Sequence, residues 1–524
     1  MDSRGNMKAR KRRNAVSVAA LAAAFTLAAL SAYCEELDFR RPVIVPEPQE
    51  MRYENTVPVR IADGMRFVVE CPDAGVAKWV AEKARLWWGR DVNVATVATV
   101  GLADGALSAV SGSYALRASP EKIEISAPAL QGVRYAMYTL RQAAERESAG
   151  ATVQRYWLPA MTVKDSPALA FRGLHICWFP ELSREFIEHQ VRLAAYYKFS
   201  HVVLEPWGVW QSERFPFLSV PGGQMCVAEA RRLSAIADDL GVTLVPGFNV
   251  FGHATGLRAA SGKHATLDFH PERQTLFEPA NGWNWCLSNP ETEKAIHGVI
   301  AEMHEAYGNP PFFHIGCDEA DPPTCARCRA VKPYAKLVER HIASVAGFVR
   351  QRGARAMMWH DQLLESGKWK PFYATGDKDL AKMIETLPRD IVVCDWYYGG
   401  DQRDKDRRLH YPTLDLFKSK GFDVITCAFD KRAGIVAQGE YANRHGLFGF
   451  METVWHHFKG REFAMMMESS ACAAWGHGQT DRGKGVRDRP CVTHWRQIGW
   501  DMGIKDYAET GLIRETVTRD ILDK

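Results

Sequence analysis

Two adjacent carboxylates, Asp318 and Glu319, follow the mostly apolar run 312–317. Paired carboxylates are typical of glycosidic bond hydrolysis, in which one group is the acid and the other is the nucleophile or base. Adjacent residues of an extended strand point in opposite directions, so these two groups cannot simply flank one bond. We therefore expect a catalytic pair whose members have unequal roles.

One mechanism gives the two carboxylates different tasks by letting the substrate supply the nucleophile. The 2-acetamido oxygen of an N-acetylated sugar attacks the anomeric carbon, Asp318 orients and stabilises the acetamide, and Glu319 protonates the leaving oxygen. Burial and a neighbouring negative charge would raise the pKa of such an acid. This chemistry uses no metal and no cofactor, and the sequence predicts neither in the site.

The elements that would position the pair form a repeating pattern after Phe171, in which short apolar runs alternate with helical stretches. The candidate strands are 172–176, 201–205, 243–248, 312–315, 356–359, 391–395, 423–426 and 448–453. Eight strands alternating with helices over residues 166–500 predict an α/β fold, the (β/α)8 or TIM barrel. An open doubly wound sheet is the alternative, but it would want a glycine-rich phosphate turn after an early strand, and the sequence has none.

The active site of such a barrel lies at the C-terminal ends of its strands. Carboxylates and aromatic residues collect at the predicted ends, together with one histidine: Glu205, His253, Trp359, Asp361, Trp396, Tyr397, Asp430 and Trp455. Flat apolar faces stack on sugar rings and carboxylates hold sugar hydroxyls, so this composition favours a glycan-binding site.

Residues 35–165 are predicted to form a separate, small α+β domain. Tyr114–Ala118 and Lys122–Ser126 are joined by a Ser-Pro-Glu turn, which predicts a hairpin. An amphipathic helix is expected over 129–145. The domain contains no cluster of catalytic residue types.

The first 34 residues have the pattern of a signal peptide. Six Lys/Arg residues precede an alanine-rich apolar run, which ends in small residues. The run is long enough to be a transmembrane anchor, but the weak hydrophobicity of alanine favours cleavage. The bulky Tyr33 before Cys34 argues against a lipoprotein. We therefore expect an exported protein that is periplasmic, cell-surface or extracellular, with a tail or helix over 501–524.

The charge balance gives no reason to expect nucleic acid, or a membrane beyond export, as a partner. The chain has 66 Lys/Arg and 62 Asp/Glu, and residues 1–34 contain six of the former and one of the latter. The remainder is therefore close to neutral, without the basic excess that attracts polyanions. The sequence does not indicate an oligomeric state.

Most of the twelve cysteines lie singly in apolar runs, as buried small residues do. Cys325 and Cys328 form a Cys-x-x-Cys pair, with Cys317 shortly before it. That pair alone is a weak indication of metal, since a zinc site takes four ligands. A disulfide and reduced loop cysteines both stay open. No metal ligand is predicted, and any metal here would be structural.

The motif His314-Ile-Gly-Cys-Asp-Glu319 resembles the His-x-Gly-Gly-Asp-Glu motif after the fourth strand in glycoside hydrolase family 20, the β-N-acetylhexosaminidases. The segment 246–253, Pro-Gly-Phe-Asn-Val-Phe-Gly-His, stands where that family has a strand ending in Pro-Gly-His. Leu-Ser-Asn-Pro at 287–290 also matches, as does the leading domain. The resemblance covers about residues 40–480. It implies an exo-acting, retaining enzyme that removes terminal N-acetylglucosamine or N-acetylgalactosamine from glycans through an oxazoline.

The resemblance also implies roles for individual residues. Arg172 would bind the outer hydroxyls of the sugar, and His253 and His314 would support the carboxylates. The aromatic walls would be Trp359, Trp396 and Trp455.

This chain departs from the family pattern at three places. Cys317 replaces the second glycine of the motif, and Glu205-Pro-Trp replaces the usual His-x-x-Asp. Ala428 stands in place of the tyrosine that donates to the acetamide oxygen, and Tyr397 or Tyr398 could substitute for it. The altered ends of the second and seventh strands resemble the hexosaminidase D branch. A catalytically inactive glycan-binding barrel and a glycosidase for non-acetylated sugars are the alternative functions, and the intact carboxylate pair argues against the first.

Overall fold

The structure is a computed structural model. The described residues are 42–54, 57–98, 110–146, 155–254, 267, 269–279, 282–455, 461–476, 494, 497–499 and 501–503. The predicted signal peptide, and most of the predicted tail at 501–524, lie outside them. Within the described residues, no helix combines the length and apolar character that crossing a membrane takes.

The chain folds as two compact units. Of the described residues, the first contains those within 42–44, 50–98 and 114–164, and the second contains those within 45–49, 110–113 and 165–503. The chain passes from one unit to the other for the last time between Lys164 and Asp165.

The first unit contains nine strands and two helices among its described residues. The strands are β1 Glu50–Tyr53, β2 Val59–Ile61, β3 Arg66–Glu70, β4 Asn93–Thr96, β5 Tyr114–Ala118, β6 Lys122–Ser126, β7 Glu145–Arg146, β8 Tyr156–Leu158 and β9 Met161–Asp165; the helices are α1 Val76–Trp88 and α2 Leu130–Ala143. Its main sheet is mixed and has the strand order β1-β9-β5-β6-β3-β4. A second small sheet has the order β2-β8-β7. The predicted hairpin is confirmed, since β5 and β6 pair antiparallel with Leu116 opposite Ile125.

The second unit contains a barrel of eight parallel strands. The barrel strands are β10 Phe171–Trp178, β11 His201–Pro206, β14 Thr243–Pro246, β15 Phe312–His314, β16 Arg355–Trp359, β17 Val392–Trp396, β18 Asp423–Ala428 and β19 Gly449–Val454, and the short pair β12 Trp210–Gln211 and β13 Met225–Cys226 lies between β11 and β14 in sequence. Neighbours in the sheet follow chain order from β10 to β14 and from β15 to β19, and β10 pairs with β19. The bridge Gly247–His314 joins β14 to β15 and closes the ring. The predicted barrel is confirmed.

Helices follow the barrel strands along the chain. They are α3 Arg184–Tyr196, α4 Val227–Leu240, α5 Pro290–Ala306, α6 Ala326–Ala330, α7 Tyr334–Gln351, α8 Pro412–Ser419, α9 Arg432–His445 and α10 Arg461–Trp475. Local sequence explains where several of them begin. The side chain of Ser183 accepts from the Phe186 N–H to cap α3, and Asn289 caps α5 just before Pro290 at its first position.

The barrel interior is a packed core. Every residue of β10, β17 and β19 is buried, as expected for strands covered on both faces. The central cluster of aliphatic and aromatic side chains includes Phe171, Val203, Val245, Met357, Val392, Ile425 and Met451. It also reaches Trp359 and Trp396 at the C-terminal strand ends, so the walls of the candidate site continue directly from the core.

Candidate active site

The catalytic motif leaves the sheet before it reaches the carboxylates. Strand β15 ends at His314, and the backbone then has positive φ at Gly316 (66°), Cys317 (76°) and Glu319 (46°). Gly316 is required here, because a Cβ at this position would lie 2.3 Å from Cγ of Asn249. The expectation of an extended pair pointing in opposite directions is wrong, since this bend turns both carboxylates toward one histidine.

His253 lies between the two carboxylates. Its Nε2 is 3.4 Å from Oδ2 of Asp318 and 3.1 Å from Oε2 of Glu319. The ring of Trp283 packs against His253 with the centroids 4.1 Å apart. His253 itself has φ 52°, so two segments with left-handed backbone meet at this point. The predicted support of the carboxylates by His253 is consistent with this geometry.

Asp318 is the buried member of the pair, with 5% of its surface exposed. The side-chain amide of Asn249 donates to its Oδ1 at 2.5 Å. The carbonyl oxygen of the same amide accepts the N–H of Cys317 at 2.9 Å. Asn249 therefore positions both the carboxylate and the backbone that carries it. Asn249 belongs to the segment 246–253 that resembles the family, but no role was predicted for it.

Glu319 has a different environment, because 48% of its side chain is exposed. Its backbone is fixed at both ends: the N–H donates to Oδ2 of Asp361 at 2.9 Å, and the carbonyl accepts from Nε1 of Trp283 at 2.8 Å. The burial expected around the acid is therefore not supplied by the described part of the protein. Trp283 was not predicted, although it lies in an aromatic-rich segment of a long connection, where functional residues concentrate.

Asp361 is completely buried and holds the catalytic loop. Besides the Glu319 N–H, its carboxylate accepts from the hydroxyl of Thr375 and, at 3.4 Å, from Nε1 of Trp396. Burial and the nearby carboxylate of Asp318 raise the pKa of Asp361. The prediction that Asp361 contacts the sugar is corrected, because none of its surface is exposed to a ligand. It positions the backbone of Glu319 instead.

Aromatic side chains form a continuous wall beside the pair. Trp359 and Trp455 have centroids 5.7 Å apart, and Trp396 lies 5.1 Å from Tyr398. Nε1 of Trp455 donates to the Tyr398 hydroxyl at 2.9 Å. Trp359 is fully buried, so it forms the base of the wall, whereas Trp455 is partly exposed. Tyr373, which was not predicted, stacks on Trp396 from the surface side.

Tyr398, not Tyr397, is the tyrosine on the catalytic side. The ring of Tyr397 packs against Phe372 and Tyr411 and is 6% exposed. Tyr398 lies close enough to Asp318 for that charge to contribute to its electrostatics. Burial raises the pKa of Tyr398 well above its ordinary value, so the phenol stays protonated. The prediction of Tyr397 as a site residue is therefore corrected, and Tyr398 takes its place.

The prediction for Arg172 is wrong. It lies near the beginning of β10, at the end of the barrel opposite the catalytic loop. Its guanidinium donates to the carbonyls of Leu169 and Lys198 and lies over the ring of Trp475. These contacts hold its guanidinium at the N-terminal face of the barrel, where side chains contribute to stability.

The remaining predicted residues divide into buried supports and one residue at the mouth. Glu205 is 2% exposed and its Oε2 lies 2.9 Å from Nε2 of His175. His314 is 1% exposed and packs against Trp359 at 4.4 Å. These two support the wall from beneath instead of touching a ligand. Asp430 is exposed after the end of β18, where Nζ of Lys431 lies 3.1 Å from Oδ2.

A (β/α)8 barrel that places an aspartate–glutamate pair and a tryptophan wall at the C-terminal end of its strands is the arrangement of a glycoside hydrolase. Family comparisons agree with this class. The model of glycosyl hydrolase family 20, catalytic domain, matches residues 206–428, and that of glycosyl hydrolase family 20, domain 2, matches residues 41–166. The chain belongs to glycosyl hydrolase family 20.

Two curated relatives show how far the likeness extends. A β-hexosaminidase of Porphyromonas gingivalis (strain ATCC BAA-308 / W83) is 26% identical over 298 residues, which are 50% of this chain and 37% of the relative. A β-hexosaminidase of Vibrio furnissii is 23% identical over 292 residues, 48% of this chain and 46% of the relative. The chain thus spans less than half the length of these relatives.

A solved structure with a similar fold is a family 20 exo-β-N-acetylglucosaminidase from Vibrio harveyi in complex with N-acetylglucosamine. Its TM-score is 0.64 at 16% identity, and the match covers 88% of this chain and 78% of the other. At that identity the likeness shows the fold alone. The predicted placement in the hexosaminidase D branch stays a prediction.

Proposed function

We propose that this protein is an exo-acting β-N-acetylhexosaminidase that removes terminal N-acetylhexosamine residues from glycans. The observation that carries the proposal is the unequal environment of the two carboxylates. Asp318 is buried and held by Asn249, whereas Glu319 is half-exposed beside it. A fixed carboxylate suits orientation of a ligand group, and an accessible one suits proton transfer to a departing oxygen.

In the first step, the acetamide oxygen of the bound sugar forms a bond to the anomeric carbon, and the bond from that carbon to the leaving oxygen breaks. Asp318 accepts from the acetamide N–H and stabilises the positive charge that develops on the acetamide. Tyr398 is the candidate donor to the acetamide oxygen, because its hydroxyl oxygen accepts from Trp455 in the aromatic wall and the phenol lies near Asp318. Glu319 transfers its proton to the leaving oxygen.

In the second step, water attacks the anomeric carbon of the oxazoline, the bond from that carbon to the acetamide oxygen breaks, and Glu319 accepts the proton of the water. Each of the two attacks inverts the configuration of the anomeric carbon, so the product retains the configuration of the substrate. The sugar ring would lie against the partly exposed Trp455, with Asp430 available to a hydroxyl at the mouth. A ring bound there would cover Glu319 and supply the burial that the protein alone does not provide.

Turnover of aryl glycosides that differ only at the 2-position and the 4-hydroxyl tests the proposal. We expect turnover of aryl N-acetylglucosaminide or N-acetylgalactosaminide and inhibition by the corresponding thiazoline. Turnover of aryl glucoside or galactoside without thiazoline inhibition would instead support a glycosidase for non-acetylated sugars. Sugar binding with no turnover of any substrate would support an inactive glycan-binding barrel.

We also propose that the protein is exported by residues 1–34. The support is the basic segment followed by an alanine-rich apolar run. N-terminal sequencing of protein from fractionated cells should show cleavage close to residue 34 and enrichment outside the cytoplasm. A full-length N-terminus in the cytoplasmic fraction would contradict this.

A further inference from the structure

Three cysteines and one glutamate converge close to the catalytic loop. Cys286 and Glu278 precede α5, and Cys325 and Cys328 flank the beginning of the short helix α6. One carboxylate oxygen and the three sulfur atoms all lie within 4.8 Å of one another. Cys317, which the sequence grouped with Cys325 and Cys328, is not a member of this group. We refer to these four residues as the thiol cluster.

The sulfur spacing in the thiol cluster is that of ligands sharing one ion. Sγ of Cys286 lies 3.7 Å from Sγ of Cys325 and 3.8 Å from Sγ of Cys328. Zinc–sulfur bonds of about 2.3 Å in a tetrahedron place two sulfurs about 3.8 Å apart. A disulfide would instead pair Cys286 with one cysteine at about 2.05 Å and leave the other without a role. Cys286 is equally close to both.

Glu278 completes a set of four ligands. It is 2% exposed, and its Oε2 accepts the backbone N–H groups of Thr324 at 2.8 Å and Cys325 at 2.5 Å. Its Oε1 is also buried, and no hydrogen-bond donor with suitable geometry reaches it from the part of the chain that the structure describes. A buried carboxylate oxygen without such a donor costs free energy that a cation would recover.

Hydrogen-bond donors point at two of the sulfur atoms in the thiol cluster. The N–H of Cys328 donates to Sγ of Cys325 at 3.2 Å, and the guanidinium of Arg327 reaches Sγ of Cys286 at 3.6 Å. Three thiolates and a carboxylate around a divalent ion carry excess negative charge, which Arg327 partly offsets. Leu337 packs against the cysteines and is 3% exposed. The apolar cover limits access of water and of competing ligands.

We propose that Cys286, Cys325, Cys328 and Glu278 bind one structural zinc ion. Thiolate ligands in a tetrahedron select zinc among the abundant divalent ions, and four protein ligands leave no open position for catalysis. The ion would tie the connection after β14 to the connection after β15. Both connections carry the active site, because Trp283 donates to the Glu319 carbonyl and Asn284 exchanges two hydrogen bonds with the backbone of Asp321. The zinc site is thus a positioning device for the catalytic loop.

Metal content of the purified full chain tests this proposal directly. Inductively coupled plasma mass spectrometry should find about one zinc per chain in the wild type, and Cys286→Ser and Cys325→Ser should lose it. Cys71→Ser is the matched control, since Cys71 is a half-buried thiol of the first unit, and it should keep the metal. Absence of zinc from wild type prepared with zinc under reducing conditions, or retention of zinc by both serine variants, would overturn the proposal.

Cobalt substitution keeps the test decisive if a serine variant does not fold. Wild type stripped by a chelator and refilled with Co²⁺ should show thiolate-to-cobalt charge transfer and the intense visible bands of a tetrahedral site. Glu278→Gln should raise the zinc dissociation constant at least about tenfold. Unchanged affinity would remove Glu278 from the site. An intact disulfide between any two of the cluster cysteines in unreduced peptides, with no cobalt spectrum, would refute the site as a whole.

Discussion

Replacing Asn249 with alanine probes the geometry on which the proposed mechanism depends. The substitution removes a 2.5 Å hydrogen bond to Oδ1 of Asp318 and the acceptor of the Cys317 N–H. A hydrogen bond to a charged group contributes about 1.5–3 kcal/mol. If that energy serves to hold Asp318 against the acetamide, the rate should fall roughly 10- to 150-fold, since about 1.4 kcal/mol is tenfold. Leaving the buried Cys317 N–H without its acceptor should also lower the free energy of unfolding by about 1–3 kcal/mol.

The assay compares kcat on an aryl N-acetylhexosaminide with the inhibition constant of the thiazoline analogue. A loss of positioning should lower kcat and weaken the thiazoline by a similar factor, because both depend on the placement of the acetamide. Asn93→Ala is a matched control, since it also removes an amide hydrogen bond but at an exposed position of the first unit. A stability loss in Asn249→Ala with kcat and thiazoline affinity both unchanged would refute a positioning role.

Substitutions at the pair itself, at Cys317 and at Asp395 separate the roles of neighbouring groups. Glu319→Gln should slow the hydrolysis of substrates with poor leaving groups about 10²- to 10⁴-fold. It should slow the hydrolysis of substrates with good leaving groups far less, because these depend less on protonation by a general acid. Asp318→Asn should impair hydrolysis of acetamido substrates by misplacing the nucleophile. Cys317→Gly should retain activity, since glycine adopts φ 76° without strain, whereas the β-branched Cys317→Val should destabilise by about 1–3 kcal/mol. Burial raises the pKa of Asp395 to about 7, so the folded chain holds this proton and the contribution of Asp395 to stability is lost as the pH rises from about 4 to 7. Asp395→Asn should remove this contribution, which amounts to at most about 4 kcal/mol.

Each of these outcomes has a measurement that can contradict it. Equal losses on both kinds of leaving group would count against Glu319 as the acid, and unchanged turnover in Asp318→Asn would remove substrate assistance. For Cys317, kcat and the thermal midpoint are compared between the two variants. For Asp395, the difference in thermal midpoint between variant and wild type should grow from pH 5 to pH 8, and the same difference at both pH values would contradict the shift. Burial lowers the pKa of the neighbouring His360 to about 4, so its own contribution to stability rises with pH over part of this range, opposite in sign to that of Asp395. The comparison of variant with wild type isolates Asp395, because His360 is present in both.

The barrel was predictable from the sequence because its strands are short apolar runs and most of them are followed by a helix. All eight predicted strands appear, most of them displaced by no more than a residue or two at either end, for example 201–205 against His201–Pro206. The catalytic pair was predictable for a similar reason, since it directly follows one of these runs. Its conformation was not. The bend with positive φ at Cys317 and Glu319 contacts a residue of another connection, because Asn249 packs against Gly316 and accepts the Cys317 N–H.

Single residues in strands were assigned less reliably than the strands. Arg172 matched the family pattern, but its position near the beginning of β10 sends its side chain away from the site. The choice between Tyr397 and Tyr398 depended on which face of the strand end each ring occupies. Burial decided the roles of Glu205 and Asp361, and burial is a property of everything packed around a residue. None of these distinctions is encoded in local periodicity.

The sequence by itself determined the alternation of strands and helices, the place of Asp318 and Glu319 after a buried strand, and the supply of tryptophans at strand ends. These follow from short-range patterns of apolar and polar residues. Only the tertiary structure decided that one carboxylate is buried and the other accessible, and that Cys286 and Glu278, instead of Cys317, join Cys325 and Cys328. The physical reason is the same in both cases. Long connections bring residues together from distant parts of the chain, and their contacts depend on the path of the whole backbone.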